Sequence, residues 1–169
     1  GRGETWAGEF VARHRKGHPF PAWVTNVPFT DTQGNIIGVI GVSMDITERK
    51  QMEDALRESK ERLHTIFEGA PDAIFIADTQ SGQIVDANHQ ACQMLHRPYE
   101  DIVGMHFTQL HPPDTHPKAQ TSFSEDVRLH EQQLVVHPAE HTVLRADGST
   151  IPVEVVSTLL SINGKTFLQ

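Results

Sequence analysis

Residues 45–67 carry one long helical signal, and it constrains what the rest of the chain can become. The stretch from Asp45 to Phe67 has no Pro and no Gly and is rich in Glu, Lys, Arg, Gln, Ala and Leu, all good helix formers. Asp45 or Thr47 can cap its start by accepting an orphan N–H of the first turn. Gly69 and Pro71 stop it. Its apolar residues are few but ordered: Met52, Leu56, Leu63 and Ile66 fall on spacings of four, seven and three. That is a narrow coiled-coil type of seam, too thin a stripe for burial in a globular core. Glu53 with Arg57 and Glu58 with Arg62 are acid-before-base pairs four apart, which support a solvated helix. A surface helix packed on its own domain is the plainer alternative. The flanking sequence favours a connecting rod whose seam pairs with a second copy.

Ahead of the rod, residues 1–47 alternate as strands. Thr5–Arg15, Phe20–Phe29 and Ile36–Ile46 are separated by turns at Lys16-Gly17 and Asp31–Asn35. They predict a three-stranded antiparallel meander with an apolar face. A sheet of that size cannot bury enough surface to be stable alone, so cover from outside the segment is expected. Behind the rod, residues 69–169 predict two short strands (73–77 and 83–87), then a helix over Asn88–Leu95 with Asn88 as its cap. Single turns at Pro98–Glu100 and Phe107–Leu110 follow, and then a longer helix over Lys118–Glu131. Three strands close the order: Leu134–Arg145, Thr150–Ile162 and Lys165–Leu168, turned at Ala146-Asp-Gly148 and Asn163-Gly164. Strands, helices, then strands give an α+β domain: a five-stranded antiparallel sheet with short helices grouped on one face.

The totals narrow the function classes. The 169 residues make room for one domain and part of another, and the chain opens and closes on strand-like sequence, so a fragment of a longer protein is expected. A net charge of -8 argues against nucleic acid or an anionic membrane as partner. Cys92, the single cysteine, allows no disulfide within one chain and suits a reducing cytoplasm. No apolar run approaches the roughly 18–20 residues that span a bilayer.

Particular residues resemble a known family. Trp6–Phe10, Arg13–Gly17, Pro28–Asp31, Gly34–Gly38 and Asp45-Ile-Thr-Glu-Arg-Lys50 are similar, in order and spacing, to the C-terminal half of a PAS domain. Ile84-Val-Asp-Ala-Asn88, Gly104-Met105, Leu110–Asp114, Arg145–Gly148 and Pro152–Glu154 resemble PAS landmarks over nearly a whole domain. Arg13–Gly17 and Leu144–Gly148 occupy the same place in two copies, an internal repeat with the helix as spacer. The resemblance implies three parts. Residues 1–47 would be the second half of one PAS domain, 48–68 a signalling helix, and 69–169 a second, C-terminally truncated PAS domain. It also implies a cytoplasmic sensor module, not an enzyme in itself, that works as a homodimer and passes a signal to an output domain of the same polypeptide. By family analogy that output is a histidine kinase or a diguanylate cyclase. Asp45 and Thr47 are the residues the family would use to hand strain from sheet to helix.

PAS domains hold haem, flavin, a small metabolite or nothing. A haem ligand would come from His116 or His130, near the long helix, whereas flavin–thiol chemistry needs a motif that Cys92, in Asn88-His-Gln-Ala-Cys92, does not supply. The reading favours no cofactor and a pocket between sheet and helices touched by Phe75, Met94, Phe107, Phe123 and Val155. Those five can equally be plain core. The competing functional readings are a ligand-free interaction module and a haem- or flavin-based redox or gas sensor. No metal site is expected. His137 and His141 have zinc-like spacing only on a helix, and Pro138 with the strand that follows sets them about 13 Å apart instead. His111 and His116 read as loop residues. No Ser-His-Asp order or phosphate-cradling glycine loop appears, so catalytic residues are absent from the expectation.

Overall fold

A computed structural model describes residues 4–169. The chain divides into two compact units, residues 1–62 and 63–169, with the boundary inside one helix. In the first unit, β1 (Trp6–Arg13), β2 (Pro19–Thr30) and β3 (Ile36–Asp45) form an antiparallel sheet in sequence order. Trp6 lies opposite Asn26, and Ala22 opposite Asp45. Among the described residues of this unit Ala22 and Ile46 are the buried hydrophobics, while Trp23, Val27, Ile40 and Met44 stay exposed. Three strands of this length expose more apolar surface than they cover.

Helix α1 (Thr47–Glu68) grows directly out of β3. Asp45 Oδ1 accepts the Thr47 N–H at 2.8 Å, and the Ile46 N–H donates to the Pro21 carbonyl at 3.0 Å. Arg49 and Lys50 in the first turns both pair with Glu9 of β1. Lys50, with Arg49 behind it, holds the Glu9 carboxyl below its usual range. Beyond those turns α1 buries nothing. The Gly69 N–H returns to the Thr65 carbonyl at 2.9 Å and closes the helix where the sequence predicts.

The second unit is α+β, as expected. It runs β4 (Phe75–Asp78), β5 (Ile84–Ala87), α2 (His89–Leu95), α3 (Tyr99–Ile102), 3-10 turns at Phe107–Leu110 and Pro113–Thr115, and α4 (His116–Glu131). Then come β6 (Ala139–Leu144), β7 (Thr150–Val155), β8 (Leu159–Ile162) and β9 (Lys165–Leu168). The strands differ from the expected continuous five-stranded ladder. Four of them hydrogen-bond in the order β5-β4-β9-β8, and β6-β7 form a separate hairpin. The long strand expected over 150–162 is interrupted at Ser157. Ser157 Oγ donates to Asp126 at 2.8 Å, and its carbonyl accepts from His130 Nε2 at 3.0 Å. His130 of α4 thus takes the carbonyl a strand neighbour would have bonded, and Asp126 holds the side chain beside it. The first strand of this group also starts later than expected, at Ala139 rather than Leu134, just after Pro138, which has no N–H to give a ladder. Asn163 and Gly164, at φ 51 and 77, make the primed two-residue turn that a tight hairpin needs.

The core of this unit is Ile84, Ala87, Ala91, Leu95, Ile102, Leu110 and Val143, drawn from sheet, helices and the 3-10 turn. Asn88 stands at its edge with no exposed surface. Its Oδ1 accepts from the Ile74 N–H (2.9 Å) and the Ala91 N–H (3.0 Å). Its Nδ2 donates to the carbonyls of Asp72 (2.9 Å) and Phe67 (3.2 Å). All of the amide's donors and acceptors are therefore used. One side chain caps α2 and also fixes the start of β4 and the last turn of α1. The neighbouring His89 N–H donates to the Glu68 carboxylate at 2.8 Å. Replacement of Asn88 by Asp keeps both acceptors but turns a carboxylate oxygen toward two carbonyls. We expect Asn88→Asp to cost about 2–4 kcal/mol in urea unfolding followed by circular dichroism. A midpoint within error of the wild type contradicts this account of the junction.

Candidate functional site

A cavity of about 580 Å³ opens between the strands and α4 in the second unit. Its floor is apolar because short side chains alternate inward along the strands. Ala77, Ile84, Val143 and Leu168 line it and are nearly inaccessible to solvent. Phe107 and Phe123 stack across it with ring centroids 4.1 Å apart and planes 11° from parallel. The five residues that sequence reasoning grouped, Phe75, Met94, Phe107, Phe123 and Val155, all line this one cavity.

The histidines are distributed differently from expectation. His116 and His130 are not among the lining residues. Each spends Nε2 on a backbone carbonyl at 3.0 Å, His116 on His111 and His130 on Ser157. A haem ligand at either position is therefore not supported. The cavity instead holds His111 and His141, whose ring centroids are 5.4 Å apart. Sequence reasoning passed over both. His111 sits in a Pro-rich break, and His141 was weighed only for zinc spacing. The signal was present in β6, where alternation puts His141 on the same side as buried Val143.

The polar end of the cavity has a definite protonation pattern. His111 Nδ1 lies 2.8 Å from the Thr142 carbonyl, which can only accept, so Nδ1 carries the proton and Nε2 is an acceptor. Burial pushes the His111 pKa below the ordinary imidazole value, with His116 adding to the effect and the Thr142 carbonyl opposing it. Burial likewise lowers His141, helped by His111 and Lys118 and opposed by Asp126. Asp126, which accepts from Ser157, also lines the cavity.

Cofactors that the fold can carry are a poor match to this lining. The acidic residues at the cavity are Asp72, Asp126 and Glu154, with no Lys or Arg in the lining, and Glu154, paired with Glu140, lies on the strand face opposite His141 and Val153. Haem would find an imidazole at His111 but no cation for its propionates, and flavin phosphates would find no cation either. Cys92 lies outside the lining and packs against the core, where burial, with Glu68 behind it, raises its thiol pKa. Among the described residues no three His, Cys, Asp or Glu side chains converge on a metal position.

Of the remaining sequence candidates, Asp45 and Thr47 meet at the head of α1 through the bond already described. Thr47 Oγ1 is buried there without a hydrogen-bond partner among the described residues. Met52, Leu56, Leu63 and Ile66 are all exposed, at 57–65%.

Comparison with known proteins agrees with the fold. The family model of the PAS domain matches residues 1–48 and 71–168, most of the chain. The chain belongs to the PAS domain family. It is 44% identical over 71 residues to sporulation kinase E of Bacillus subtilis, covering 41% of this chain and 10% of that protein. It is 31% identical over 110 residues to the probable diguanylate cyclase DgcE of Escherichia coli, covering 62% of this chain and 10% of that protein. The chain thus corresponds to about a tenth of each of these relatives. Among solved structures it resembles the PAS domain of an HTR-like protein from Haloarcula marismortui. That match has a TM-score of 0.54 and 28% identity, and covers 70% of this chain and 94% of that one. Among the described residues no helix is long and apolar enough to cross a membrane.

The two depressed histidines have a consequence for stability. As the pH falls through the ordinary imidazole value, about 6.5, the unfolded chain takes up protons before the folded one. The second unit therefore loses stability below that value, and the loss stops once the native pKa values are passed. NMR titration of the ring protons is expected to place His111 and His141 clearly below 6.5. Midpoints at or above that value contradict the protonation pattern.

Proposed function

We propose that this chain is a sensory segment of a longer signalling protein, in which a PAS domain takes a small ligand into its cavity and α1 passes the change on. In this reading residues 1–47 are the second half of a first PAS domain, 48–68 the signalling helix and 69–169 the second PAS domain. The observation that carries the proposal is the junction at the end of α1. Phe67 and Glu68 are hydrogen-bonded to Asn88 and His89, so the last turn of the helix is held by the same residue that caps α2 and anchors β4. A ligand shifts such an assembly only if it binds two arrangements with different free energy.

The exposed stripe of Met52, Leu56, Leu63 and Ile66 supports α1 as the seam of a homodimer, because isolated solvation of such a stripe is unfavourable. Asp45 and Thr47 would carry the motion of the first sheet into the same helix. Likeness to a sporulation kinase and a probable diguanylate cyclase supports an output domain of one of those kinds elsewhere in the polypeptide, in the cytoplasm. The segment itself would sense rather than catalyse. A second reading, a ligand-free pairing module, draws on the exposed Trp23, Val27, Ile40 and Met44 of the first sheet.

Leu56→Glu places a charge in the proposed seam. We expect it to weaken self-association by roughly 2–3 kcal/mol in sedimentation equilibrium, with the helical signal retained. An unchanged association constant rules out the seam and leaves the cavity untouched.

A further inference from the structure

Three features of the cavity lining bear on what can occupy it, and they agree. Asp126, bonded to the lining residue Ser157, brings a carboxylate to it, and no Lys or Arg belongs to the lining. Lys118, the cation nearest the polar end, is not part of the lining and donates to the Glu140 carbonyl at 3.1 Å. Its two histidines are held neutral by burial, so they add no positive charge. His111 has its proton committed to the Thr142 carbonyl, which leaves Nε2 as a lone pair without a hydrogen-bond partner among the described residues. Asp126 receives one bond, from Ser157, and a carboxylate accepts more. The polar groups of the lining therefore offer the Asp126 carboxylate and the His111 Nε2 acceptor, with one N–H of the neutral His141 ring as a donor. The rest offers aromatic faces, Phe107 stacked on Phe123 beside Phe75, which attract cations and flat apolar bodies.

Resting on the sensor reading, we infer that the ligand is a small organic amine, with an aromatic or apolar body lying against Phe107 and Phe123 and an ammonium N–H donating to Asp126. Carboxylates and phosphates of the same size are disfavoured. They would bring a second negative charge beside Asp126, which no Lys or Arg of the lining offsets. A neutral alcohol of the same body fits between the two, since its O–H satisfies one acceptor but leaves the carboxylate unpaired.

Phenethylamine, phenethyl alcohol and phenylacetate share one body and differ in charge at one end. Their dissociation constants are read from the shifts of the Phe107 and Phe123 ring signals in the full chain. The amine is expected to bind at least about tenfold tighter than phenylacetate, the discrimination that one charge-assisted hydrogen bond supplies, with the alcohol between. In Asp126→Asn, whose amide oxygen still accepts from Ser157, the amine's advantage over the alcohol is expected to disappear. Phenylacetate binding as tightly as the amine overturns the ligand class while leaving the cavity as a binding site. An unaltered amine preference in Asp126→Asn overturns the role given to that carboxylate. Silence of the ring signals toward all three compounds overturns the ligand class and the ligand-sensing reading together. The three-compound comparison on the wild type stands even if the variant does not fold.

Discussion

A single buried amide governs how this chain is put together. Asn88 must find two donors and two acceptors, because leaving any of its polar atoms unpaired in a dry site costs on the order of 1–3 kcal/mol each. It finds them on four different pieces of chain: Phe67 at the end of α1, Asp72 in the following loop, Ile74 before β4 and Ala91 in α2. That requirement fixes where the helix stops, how the loop turns and where the sheet begins. The Glu68 carboxylate adds a bond to the exposed start of α2, near the positive end of that helix, where a negative charge is favoured. A linker helix whose body buries nothing is therefore firmly seated at its end.

The seating contrasts with the head of α1. There the ties are an Asx-type cap from Asp45, one backbone bond from Ile46 to Pro21, and ion pairs of Arg49 and Lys50 with Glu9 that remain open to water. Exposed ion pairs are each worth little. The foot of the helix is thus tied by buried hydrogen bonds of Asn88, and its head by bonds and ion pairs open to water.

Much of this was legible in the residues. α1, its stops, the α2 cap and both hairpin turns were readable because each rests on local rules of propensity, capping and positive-φ turns. The five cavity residues were reached from the expectation of a pocket between the sheet and the helices of a PAS-like domain. What escaped was non-local. Nothing near Ser157 in sequence announces that Asp126 and His130 will claim it and split a strand in two. Nor does the neighbourhood of His111 reveal that Thr142 will fix its tautomer. Asn88 looked like a cap, and its bonds to Phe67 and Asp72 depend on where the chain before it ends up.

The central claim is that the foot of α1 and the start of the sheet-and-helix domain open together. Native-state hydrogen exchange across a denaturant series tests it directly. The account predicts that the amides of Ile66, Phe67 and Glu68 merge with those of Ile74, His89 and Ala91 into one unfolding unit with a shared free energy. Exchange of the last turn of α1 at a distinctly lower free energy, with Ile74 and Ala91 still protected, would contradict it.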